Sequence, residues 1–221
     1  MRLDLHIHSK YSRDAANGSP RDILKRVKSA GLDGLAITDH NSIDGSLEAA
    51  GMSKESGLVV VRGIEVSTAS GHVLVYGVDE AIPRGLSIDE TVRRAHELGG
   101  VAVAAHPKRF PSGIGLEAAR SGPFDGIETV NGGNPSRSNA KARRIAEVRA
   151  LSQTGGSDAH KPHEIGRSFT VFENPLTEDD VLEAVRRGVA RSGGRSRTAK
   201  EGVVYSYETL LEWVRGGFGR Q

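Results

Sequence analysis

Short apolar runs, set apart by stretches of helical period, restrict this chain to few folds. Strand-like runs cover residues 3–7, 34–38, 58–66, 72–78, 101–105, 125–130 and 154–157, with helix signals between them. Ser19 and Pro20 read as N-cap and first helical residue, Ile23, Leu24 and Val27 share one face, and Gly31 closes the C-terminus. Asn134 and Pro135 repeat that signal before a basic helix reaching about Leu151. Thr177 caps a third helix, with Glu178, Asp179 and Asp180 set against its dipole and Val181, Leu182 and Val185 facing inward. Strands separated by helices imply βα units, a parallel sheet and helices outside it. About seven such units in roughly 190 residues suit a small α/β barrel rather than a full eight-fold one, which takes about 250 residues. An open doubly wound sheet is the structural alternative.

With 221 residues, 37% hydrophobic and 26% charged, the chain has the size and composition of one domain with a buried core. No apolar run approaches the roughly 20 residues that span a bilayer, so no membrane partner is expected. The opening MRLDLHIHSK carries acids and histidines where a signal peptide would be apolar, which points to a cytoplasmic protein. The absence of cysteine excludes disulfides and thiolate-bound metals. A net charge of +2 favours neither a nucleic-acid coat nor a strongly acidic partner, and 5% aromatics argue against base-stacking platforms.

One composition shift marks the C-terminal end, where six cations (Arg186, Arg187, Arg191, Arg195, Arg197, Lys200) and no acid fall between Ala184 and Lys200. RSGGRSRT, residues 191–198, reads as a mobile loop, and the whole run from Ala184 to Lys200 could meet RNA or DNA, against the plainer reading of solvated chain. Tyr205, Leu210, Leu211, Trp213 and Val214 then suit a final amphipathic helix docked on the barrel. The expected organisation is a barrel over 1–190 and an appendage over 191–221.

The chemistry lies at the strand ends. His6 and His8, two residues apart, point to one face of a strand, and Asp14 follows in the loop. His40 ends LAITDH, Glu65 sits in VVVRGIEV, His72 opens HVLVYGV, His106 ends VAVAAH, and Asp158 and His160 end GGSDAH. A lone histidine after a strand is usually a hydrogen-bonded loop residue, whereas H-x-H offers a chelating pair. Paired acids alone would suggest glycosidase chemistry, but here carboxylates are interleaved with histidines. A parallel barrel gathers its strand ends at one mouth, so nine such groups point to metal binding. Nitrogen and oxygen donors without sulfur suit Zn²⁺, Mn²⁺ or Fe²⁺.

DLHIHSKYSRDA, LAITDHNSIDG, GIEVS, GHVLVYG, AAHP and GGSDAH resemble, in order, the motifs of the PHP (polymerase and histidinol phosphatase) superfamily, over residues 3 to about 172. The stretch SDAHKPHEIGR also resembles the C-terminal block of its stand-alone members. The resemblance implies a distorted (β/α)7 barrel with up to three divalent metals at the C-terminal ends of the strands. It assigns His6, His8, Glu65 and Asp158 to the first metal, Glu65, His72 and His106 to the second, and Asp14, His40 and His160 to the third. Each metal would keep open positions, as catalytic sites do. Asp14, where some members carry histidine, tilts the third site toward Mn²⁺ or Fe²⁺.

The implied function is a metal-dependent phosphoesterase acting on a nucleotide, an oligonucleotide or a small phosphorylated metabolite, through a hydroxide held between metals bridged by Glu65, with Asp158 a further catalytic ligand. A histidinol-phosphatase-type monoesterase is the alternative within that chemistry. An amidohydrolase-like C–N hydrolase and a non-catalytic metal-binding barrel stand further off. Lys108 and Arg109, directly after AHP, and Arg167, after the last ligand strand, are expected to bind phosphate oxygens or else to be solvated charges. Asp39 reads as an orienting group, His96 as structural, and His163 as a loop residue near the substrate or exposed.

Overall fold

A computed structural model describes residues 1–173, 177–198 and 200–204. In chain order it contains β1 (Arg2–Ile7), α1 (Pro20–Ser29), β2 (Gly34–Ile37), α2 (Asp44–Gly51), α3 (Ser53–Ser56), β3 (Val59–Thr68), β4 (Gly71–Tyr76) and α4 (Ile88–Glu97). There follow β5 (Val101–Ala104), α5 (Leu116–Ser121), β6 (Gly126–Asn131), α6 (Ser136–Arg149), β7 (Ser152–Gly156), β8 (Ser168–Val171), α7 (Glu178–Arg186) and β9 (Arg191–Gly194). Local chemistry sets the helix starts. Ser19 and Asp22 form a reciprocal capping box ahead of α1, and Thr177 and Asp180 do the same for α7. At α6 the expected cap moves by one residue, because Pro135 takes the N-cap position without a side-chain bond.

The strands form one sheet in the order β7-β6-β5-β4-β3-β2-β1-β8-β9, curled into a nearly closed barrel. The last strands meet the first across a seam. Asp158 N–H donates to the His6 carbonyl at 2.8 Å, and His8 N–H donates to the Ala159 carbonyl at 3.1 Å. Seven strands fall where the apolar runs predict them, but two of their relations differ from a uniform βα repeat. β3 and β4 form an antiparallel hairpin, tightened by Gly71 at φ 106°, and β4 is antiparallel to β5 as well. This reversal brings the first residues of β4, His72 among them, to the mouth shared by the C-terminal ends of its neighbours.

The second difference is the basic stretch after α7. Arg191–Gly194 is not a mobile loop but a strand, β9, paired antiparallel with β8. Arg195 and Arg197 beyond it form ion pairs with Glu201 and Glu164. Backbone pairing suffices for such an edge strand without apolar side chains. The expected terminal helix (Tyr205, Leu210, Leu211, Trp213, Val214) lies outside the described residues.

Alternation in β1 explains how a buried strand carries polar groups on one face. Leu3, Leu5 and Ile7 pack in apolar clusters, while Asp4 and His6, with His8 just beyond, are equally buried on the opposite face. Little space remains at the seam: a Cβ on Gly156 would stand 2.3 Å from the His6 Cβ and 2.7 Å from its backbone nitrogen. Gly156→Ala is therefore expected to destabilise the fold by about 1–3 kcal/mol, the usual range for overpacking. Gly51→Ala, with nothing near its added methyl, should be neutral or stabilising. Urea unfolding of both variants checks this contrast.

Candidate metal centre

Six of the first seven strands, all but β6, bring side chains on them or just beyond them to one pocket. Four donors converge first: His6 Nε2 and His8 Nε2 lie 3.2 Å apart, each 3.3 Å from Glu65 Oε2 and 3.3–3.5 Å from Asp158 Oδ1. The other Glu65 oxygen, Oε1, lies 2.8 Å from His72 Nδ1 and 2.9 Å from His106 Nε2. Asp14 Oδ2 stands 3.2 Å from His160 Nε2 and 3.6 Å from His40 Nε2. His40 also turns Nδ1 to within 3.0 Å of Glu65 Oε2, so it faces both the Asp14 group and the central carboxylate.

Hydrogen bonds on the far side of the rings assign their tautomers. His6 Nδ1 donates to Glu128 Oε1 at 2.9 Å, leaving the Nε2 lone pair toward the pocket. Ser12 Oγ donates to Asp39 Oδ1 at 2.8 Å and accepts the His40 N–H at 3.0 Å. With its proton committed, Ser12 accepts from His8 Nδ1 at 3.1 Å, and the His8 Nε2 lone pair also faces inward. Lone pairs and carboxylate oxygens at this spacing repel one another unless cations or protons lie between them. Glu65 Oε2 and His40 Nδ1, although 3.0 Å apart, do not meet in hydrogen-bond geometry and have no other hydrogen-bond partner, an arrangement that suits atoms able to ligate. The donor set thus fits divalent cations.

The electrostatics point the same way. Burial opposes charge on His6 and His40, yet Glu128 and Glu65 around the first, and Glu65 and Asp14 around the second, push both up to about 10. His8 goes the other way: burial, then His160, hold it well below the ordinary imidazole value. Burial would raise Glu65, but His6 and His40 keep it well below the usual carboxylate range. The carboxylates therefore draw positive charge into the pocket, and cation binding would displace protons.

Of the expected phosphate-binding residues, only Arg109 touches these donors, through an ion pair with Asp158 Oδ2. Lys108 is exposed, and Arg167 turns to Glu201 at 3.4 Å and the Gly132 carbonyl at 3.5 Å. His96 is held by Asp125 at 2.8 Å, and His163 lines a separate cavity of about 310 Å³. Three buried groups went unrecognised in the sequence. Glu128 orients His6 and accepts the His106 N–H at 2.9 Å. Asn131 donates to Glu128 at 3.0 Å and to Asp158 at 3.1 Å. Asp4, pushed to about 6 by burial, accepts the Ser157 and Gly166 amides. Their signal was weak: polar residues inside apolar runs, in no ligand spacing. His106 and Asp158 are held at φ 27° and 54°, backbone that non-glycine residues adopt at a cost of about 1–3 kcal/mol each.

Comparison with known proteins gives this geometry a context. Residues 4–110 match the PHP domain model, and residues 136–190 match the PHP-associated model. An uncharacterised protein of Methanocaldococcus jannaschii is 43% identical over 48% of this chain and 68% of its own length. The phosphoribosyl 1,2-cyclic phosphate 1,2-diphosphodiesterase of Eggerthella lenta is 32% identical over 98% of this chain and 80% of its own. Among solved structures, a two-domain Bacteroides vulgatus protein containing a PHP-like metal-dependent phosphoesterase superposes with a TM-score of 0.73 at 19% identity. That match covers 94% of this chain and 69% of the other, and at such identity it shows the fold alone.

Glu128 supplies the test of the site's wiring. Glu128→Gln keeps an acceptor for His6 Nδ1 but removes the charge that raises the ring's basicity, so metal affinity should fall about 10–100-fold. Titration of the stripped protein with Zn²⁺ or Mn²⁺ by calorimetry measures the change.

Proposed function

The chain belongs to the PHP domain family, and from that premise we propose that its nine-donor pocket hydrolyses phosphate esters with up to three divalent cations bound. One observation carries the reading: Glu65, buried at the centre, turns its two oxygens to two separate sets of imidazoles, as a side chain spanning two cations would. The donors suit Zn²⁺, Mn²⁺ or Fe²⁺, and the carboxylate of Asp14 in the outer set favours Mn²⁺ or Fe²⁺ there. When bound, such cations supply an ionised water at neutral pH and neutralise the charge on phosphoryl oxygens.

The protein's own groups do the rest. Glu65 and Asp158 bring negative charge to the first set of donors, and His72 and His106 complete the second. Asp158 divides its work, with Oδ1 toward His6 and His8 and Oδ2 toward Asn131 and Arg109. Arg109 is thus tethered at the edge of the pocket and only partly buried, in reach of a nonbridging phosphate oxygen. Lys108, exposed beside it, adds positive potential at the mouth, and Arg167 stands behind the Gly132 turn as a further cation for a larger substrate.

The substrate is a phosphodiester of a nucleotide, an oligonucleotide or a small phosphorylated metabolite. The Eggerthella lenta relative, aligned over nearly the whole chain and named a diesterase, supports a diester over a monoester. Chelation should abolish hydrolysis of bis(p-nitrophenyl) phosphate, and added Mn²⁺ or Zn²⁺ should restore it. Glu65→Gln is expected to lower kcat at least about 1,000-fold, and Arg109→Ala to raise KM more than it lowers kcat. Faster turnover of histidinol phosphate than of every diester in a substrate panel would favour the monoesterase alternative. No ester turnover with any of the three metals would overturn the proposal.

A further inference from the structure

Outside the pocket, the strongest feature is the outer face of α6. Arg137, Lys141 and Arg144 follow one another at i, i+4 and i+7, so they share one stripe about 10 Å long on the helix surface. All three are exposed, and none has an ion pair or side-chain hydrogen bond among the described residues. Neighbouring cations differ: Arg120 pairs with Glu117, and Arg149 donates to the carbonyls of Ala119 and Gly122. The one acid on the helix, Glu147, lies three residues beyond Arg144, within reach of it along the surface, yet the two form no ion pair among the described residues.

The stripe starts at the catalytic mouth. α6 follows the turn after Asn131, whose amide touches Asp158, and Asn139 on the inner face of α6 donates to the Asn131 carbonyl at 3.0 Å. From there the helix runs down the outside of the barrel to a groove of about 440 Å³ between α5 and α6. Leu116, Ile145 and Val148 give that groove an apolar floor beside Lys141 and Arg144, and charges over an apolar surface are less screened than those in open water.

We propose that Arg137, Lys141 and Arg144 are a track for the phosphate backbone of a nucleic-acid strand whose scissile phosphate sits at the metal pocket. The inference rests on the phosphoesterase reading and names the substrate class for it. An acidic peptide would match the stripe's charge but would bring no ester to the pocket at its upper end. With few aromatics to stack bases, recognition falls on the backbone and is independent of sequence.

The experiment uses the metal-loaded chain and a fluorescein-labelled 12-nucleotide phosphorothioate strand, which keeps the backbone charge and resists hydrolysis. Anisotropy titrations across a salt series compare the wild type, the triple variant Arg137→Gln/Lys141→Gln/Arg144→Gln, and Arg143→Gln, whose cation lies about 120° around the helix. Circular dichroism melts verify that each variant folds. The track predicts at least about 10-fold weaker binding by the triple variant. It also predicts a salt slope shallower by about 2, from roughly 0.7 per phosphate contact on a single strand, and wild-type behaviour for Arg143→Gln. Equal affinity and slope in the wild type and the triple variant would overturn it. So would polyglutamate that competes as well as the strand, which would make the stripe a site for acidic peptides. Wild-type turnover of bis(p-nitrophenyl) phosphate, measured alongside, separates the two readings: its absence defeats the catalytic one, whereas normal turnover with unchanged strand binding defeats the track alone.

Discussion

Five imidazole rings stand within 3.3 Å of one buried carboxylate, that of Glu65. The arrangement requires five loops or strands to bring their ends to one point. It also requires that point to be reached by β3, which lies between β2 and β4 in the sheet. A negative charge left alone in that position would be costly, and neutral rings around it would repel one another's lone pairs. Charge balance at Glu65 therefore links the geometry of the barrel mouth to the cations that the donors suit.

The supporting shell is as specific as the donors. Glu128 holds His6, Ser12 passes the influence of Asp39 to His8, and Asn131 joins Glu128 to Asp158. Each contact fixes a ring or carboxylate whose other side faces the pocket. The left-handed backbone at His106 and Asp158 has the same effect, since it aims side chains that ordinary extended chain would point elsewhere.

Most of the donors were legible because they stand at or near an end of an apolar run, and a sheet of mostly parallel strands brings such positions together; Asp14, in the loop after β1, is the exception. The supporting residues were not: Glu128 and Asp4 sit within runs, where a polar residue on the inner face looks like ordinary alternation. The reversal of β4 was partly legible, since the runs 58–66 and 72–78 are separated by only five residues with Gly71 among them, which suits a hairpin, yet a count of strands and helices alone suggests uniform βα units. β9 was hidden for another reason. Its sequence, Arg-Ser-Gly-Gly, has no apolar side chain, and its place follows from backbone bonds to β8, which hydropathy does not register.

The seam between His6 and Asp158 has a consequence for synthesis. A chain made from its N-terminus exposes the H-x-H pair roughly 150 residues before the last two donors leave the ribosome. Until then the early histidines can hold a cation only with a partial set of ligands, weakly and reversibly. Full capture would await the closing of the barrel, because the complete donor set exists only once Asp158 and His160 have joined the early histidines at the seam.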